Sequence, residues 1–123
     1  MKNGLRIGSK SVVIFKVQEK MAAAFEGKVV HNVLSTFHLV YYAELAARRL
    51  IESYLDDGEE AAGFEIHLKH IAPTKIGDDV TLTATLIKKN GRKLVCKLEA
   101  ENSGKQICSG TQTQVLIQKG SLG

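Results

Sequence analysis

Asn32-Val-Leu-Ser-Thr-Phe-His-Leu-Val-Tyr-Tyr-Ala-Glu-Leu-Ala-Ala-Arg-Arg-Leu-Ile-Glu-Ser-Tyr-Leu55 is the one long helical pattern in the chain. On a helical wheel Leu39, Val40, Ala43, Ala46, Ala47, Leu50, Ile51 and Tyr54 share one broad face, with His38, Tyr42, Arg48, Arg49, Glu52 and Ser53 largely opposite. Asn32 or Ser35 can cap the start, and Gly58 follows the end as a helix-stopping glycine does. The many alanines predict close packing around this helix. Two polar residues fall where the wheel calls for contact with a core: Thr36 near the middle of the apolar arc, and Glu44 at its edge.

Working outward, the rest reads as strand. Ser11 to Val17 is short, apolar and β-branched. Gln18 to Gly27 is open between a short helical turn and a mobile lid. After the helix, Ala61 to Ile71 alternates, with Phe64, Ile66, Leu68 and His70 on one face and Glu65, His67 and Lys69 on the other. Asp79 to Lys88 follows, then Asn90-Gly91, a strong hairpin signal, then Arg92 to Glu101. Lys105 to Gln118 is the last strand, with Gly110 expected to mark a bulge. One helix facing an antiparallel sheet of five to six strands is an α+β solution to burying both apolar faces.

Composition bounds the rest. The 123 residues are expected to form a single domain, 1–123, large enough to need no disulfide or metal staple. No apolar run approaches a membrane span, and no signal-peptide pattern opens the chain, so a cytoplasmic location with Cys96 and Cys108 reduced is expected. The net charge of +4 is mild and its lysines are scattered, apart from Lys88 to Lys93 around a turn. Nucleic-acid binding is not indicated. His31, His38, His67 and His70 have no zinc-site spacing, and no Gly-rich phosphate loop or dinucleotide fingerprint occurs.

A hydroxyl, a carboxylate and an imidazole aimed at one interior suit acyl transfer. Each also has a plainer role. His70 fits a core histidine bonded to a backbone carbonyl. Glu44 fits a surface partner of Arg48, four residues on. Thr36 fits a near-cap threonine. Gly63 fits a bulge or a close backbone approach. Among the histidines, His70 is expected buried and His67 exposed.

The layout resembles the hotdog fold, and Leu34 to Glu44 together with Gly63 to His70 resembles its fluoroacetyl-CoA thioesterase-like branch. That family has a threonine, a glutamate eight residues later, and a histidine seven residues after a glycine linked to the oxyanion site; Thr36, Glu44, Gly63 and His70 match. Gly4 to Gly8 and Ser109-Gly110-Thr111 are also similar. The resemblance implies an acyl-CoA thioesterase, with catalytic Thr36, Glu44 and His70 and substrate-binding Gly63. It implies a homodimer or dimer of dimers and no metal or redox cofactor. Lys69, Lys75, Lys88, Arg92 and Lys93 are candidates for the phosphates of CoA. A non-catalytic acyl-CoA binding module is the alternative; a hydratase fits less well, lacking its Asp-His segment. Two features depart from the fluoroacetyl-specific pattern. Gly27-Lys-Val-Val30 has no lid aromatic, and Gln114 stands where that pattern has an arginine. Acetyl-CoA is therefore not expected to be rejected.

Overall fold

A computed structural model describes residues 1–123. In chain order it contains β1 (Lys10–Lys16), a 3₁₀ turn (Glu19–Met21), β2 (Ala22–Phe25) and β3 (Lys28–Leu34). α1 (Thr36–Glu52), β4 (Glu59–His70), β5 (Asp79–Asn90), β6 (Lys93–Asn102) and β7 (Lys105–Gln118) follow. The main sheet has five strands in the order β1-β5-β6-β7-β4, all antiparallel. The segment left open between turn and lid is both a 3₁₀ turn and a strand: β2 pairs with β3 in a separate two-stranded ribbon.

The sheet wraps one side of α1. Leu39, Ala43, Ala46, Ala47, Leu50 and Ile51 are buried against it. Their counterparts are Val80, Leu82, Ala84 and Leu86 of β5 and Leu94, Cys96, Leu98 and Ala100 of β6. The alanines lie wholly inside, so the helix axis comes close to the strands. Both cysteines are free thiols on this inner face, at 0% exposure.

Two expectations about the strands change. Gly110 is not a bulge: it sits in unbroken register opposite Leu68. Its reason is contact, since a Cβ there would lie 1.9 Å from the His67 carbonyl oxygen. The bulge is on β4, between Gly63 and Glu65. It takes Phe64 out of the inward row, leaving its ring 59% exposed with Lys93 Nζ 4.4 Å above it. Ile66, Leu68 and His70 keep the inward direction and are half-buried. No helix is long and apolar enough to cross a membrane.

Candidate active site

Ser35 caps α1. Its Oγ accepts the His38 backbone N–H at 3.1 Å and lies 2.7 Å from His38 Nδ1. Thr36 is thereby released from the capping role open to it. Its Oγ1 lies 2.9 Å from Nδ1 of His70, the last residue of β4. His70 Nε2 is buried with no well-formed hydrogen bond. Burial pushes the His70 pKa below its ordinary 6.5, with the Ala72 backbone opposing part of that shift. A neutral imidazole beside a hydroxyl is the state that accepts a proton. His67, on the opposite strand face, is exposed.

The second pair lies further along the helix. The point where a Cβ on Gly63 would sit is 3.5 Å from Glu44 Oε2 and 3.8 Å from Gln112 Nε2. Glu44 is not the partner of Arg48. That guanidinium is engaged by Glu52 at 3.3 Å, by Glu60, and by the Ala61 carbonyl at 3.2 Å. The Arg48 hydrogen bond holds the Glu60 carboxyl below its usual range.

Thr36 and Glu44 are exposed rather than buried, which corrects the wheel reading. A wheel gives direction but not cover. Thr36 is the first residue of α1, and Glu44 sits beyond the edge of the sheet-facing arc. Around Glu44 the helix flank and strand ends leave an open cavity of about 450 Å³, walled by Phe37, Val40, Tyr41, Leu45, Arg48, Ala61, Gly63, Gln112 and Gln114. Thr36 instead borders a cavity of about 750 Å³ under the β2–β3 ribbon. The two pairs do not meet within one chain. Eight residues of helix separate Thr36 from Glu44, about 12 Å of rise.

Sequence reasoning missed Gln112 and Phe25 here, and marked Gln114 only as standing where the family pattern has an arginine. Gln112 and Gln114 are buried on the inner face of β7, where Gln114 Nε2 donates to the Ala47 carbonyl at 3.1 Å. Phe25 of the ribbon lines the cavity that Thr36 borders, so an aromatic does stand near this hydroxyl, before the stretch compared with the family's lid. The five candidate phosphate cations are all exposed. No cluster of three His, Cys, Asp or Glu side chains is placed to hold a metal.

One helix wrapped by this antiparallel sheet is the hotdog fold, shared with proteins of the thioesterase superfamily. Residues 17–120 match the fluoroacetyl-CoA-specific thioesterase family; the chain belongs to that family and is a thioester hydrolase. It is 31% identical over 123 residues to the fluoroacetyl-CoA thioesterase of Streptantibioticus cattleyicolor, covering 95% of this chain and 88% of that protein. A Thermus thermophilus thioesterase superfamily member superposes with a TM-score of 0.93 at 30% identity, over 98% of this chain and 89% of that one. A phenylalanine-to-alanine variant of the fluoroacetyl-CoA-specific thioesterase, in complex with fluoroacetate and CoA, superposes with a TM-score of 0.88 at 28% identity, over 96% and 99%.

Proposed function

We propose that this chain hydrolyses short-chain acyl-CoA thioesters as a cytoplasmic homodimer, with each site drawn from both protomers. The observation that carries the reading is the 2.9 Å contact between Thr36 Oγ1 and His70 Nδ1 at an open helix start. Because Nε2 is enclosed, Nδ1 is the nitrogen that works. It takes the proton of the attacking hydroxyl, that of Thr36 or of a water held by it, and returns a proton to the departing CoA sulfur. The Gly63 N–H stabilises the oxyanion. Glu44 balances the charge on the imidazolium. These groups suffice without a metal or redox cofactor, and the exposed cations Lys69, Lys75, Lys88, Arg92 and Lys93 meet the phosphates of CoA.

The helix rise of about 12 Å from Thr36 to Glu44 supports a shared site. β4 is an edge strand, flanked by Phe37, Tyr41 and Phe64 at 78%, 58% and 59% exposure. Such an edge needs a cover. Antiparallel pairing of two β4 strands about a twofold axis near Ile66 and His67 sets each His70 level with the partner's Gly63. Thr36 and His70 then face the partner's Glu44. Two free cysteines fit a reducing compartment.

Mixing two inactive variants tests this. Thr36→Ala and Glu44→Ala are each expected to lose at least ~100-fold in thiol release from acetyl-CoA. After subunit exchange, an equal mixture regains up to about a quarter of wild-type activity, because half the dimers carry one complete site of two. Folded, exchanging variants that stay inactive together would exclude the shared site. Wild-type rates in both single variants would exclude these residues from the chemistry.

A further inference from the structure

Gln112 stands in a row of apolar inward positions, between Ile66 of β4 and Cys96 of β6. It is 3% exposed, and its Oε1 is buried with no partner. Gln114, two residues on and equally buried, has a structural task in its bond to the Ala47 carbonyl. Gln112 has none. Its Nε2 instead makes no hydrogen bond and approaches the same point above Gly63 as the Glu44 carboxylate, at 3.8 and 3.5 Å. All three residues border a recess of about 210 Å³. The orphaned Oε1 stays enclosed, whereas Nε2 faces the recess, where a bound polar group can take its hydrogen bond. The group it suits is an acceptor, because Nε2 is the end that reaches the recess.

We propose that Gln112 binds substrate: its Nε2–H donates to the carbonyl oxygen of the bound thioester, beside Gly63, as a second donor to the developing oxyanion. The inference rests on the thioesterase reading above and adds to it the residue that orients the reacting carbonyl.

Gln112→Met, close in shape, and Gln112→Leu test it in the full-length protein. Three quantities are read: thiol release from acetyl-CoA, the melting temperature, and the infrared band of a ¹³C-labelled carbonyl in an acetyl-CoA analogue with CH₂ in place of the thioester sulfur. Loss of one oxyanion donor lowers kcat by about 10²–10³-fold. The expected result is such a fall with KM little changed and a melting temperature equal to or above wild type, since the unpaired amide is gone. The carbonyl band should sit lower in wild type than in either variant. Unchanged kcat, or an identical band in all three proteins, overturns the proposal. A drop in melting temperature that accounts for the lost activity, with the band unmoved, assigns Gln112 to packing and also overturns it. Wild-type protein that binds the analogue yet releases thiol from no acyl-CoA overturns the thioesterase reading, while the band still decides for Gln112. Failure to bind the analogue overturns both.

Discussion

His70 owes its charge state to its position. Desolvation by burial lowers its pKa below 6.5 and the Ala72 backbone restores only part, so at neutral pH the ring is free to take a proton. The rate should be level through neutrality and fall as pH drops through that lowered pKa. Stability follows the same sign. Between the two pKa values the unfolded chain binds more protons than the folded one. The contribution of His70 is therefore complete above about pH 6.5 and is lost as pH falls through its folded pKa. Melting curves across that window should be less steep with pH in His70→Asn than in wild type. His70→Ala should lose at least ~100-fold in kcat with the fold kept. Full activity in this variant would remove the imidazole from the chemistry.

Elements fix where such residues stand, and there the sequence was legible unevenly. Alternation placed His70 and His67 on opposite faces of β4, and the helical wheel gave the packed face of α1. Neither pattern carries cover. Thr36 points along the packed arc, yet as the first residue of the helix it meets His70 rather than core. Phe64 reads as inward until the bulge at Gly63–Glu65 turns it out, and a bulge is a property of two strands in register. Gln112 was within reach of the same reasoning, because period two along β7 puts it in line with Cys108 and Gly110. A polar residue in an inward row was the available signal. Gly110 gives the prediction at this scale. A methyl there would meet the His67 carbonyl at 1.9 Å, a backbone atom that cannot step aside without opening the β4–β7 ladder. Gly110→Ala should yield insoluble chain or a protein with a sharply lowered melting temperature; a variant melting like wild type would show that the strands pair differently.

For the whole molecule the question is what covers the flank of α1 and the edge of β4. Phe37 and Tyr41 are exposed on that flank. A charge placed in that surface is tolerated by a lone chain and expelled from a dimer interface. Phe37→Glu should therefore sediment as a monomer and lose hydrolysis, although Thr36, Glu44 and His70 are all present. A monomer that keeps the wild-type rate would mean that one chain completes the site alone. The proposed interface leaves no trace in periodicity, because a helix flank facing a second copy has the same composition as one facing a groove.

Cys96 and Cys108 lie at 0% exposure, and burial pushes both thiols up to about 11. At pH 7 only about one such group in ten thousand is a thiolate. A protein that handles activated acyl groups is exposed to exchange: any accessible thiolate would accept the acyl chain from CoA and hold it. Keeping both sulfurs un-ionised and out of reach spares the chain from acylation by its own substrates. The same feature makes a thiol-trapping reagent blind to the folded enzyme, so that each sulfhydryl it counts belongs to released coenzyme A.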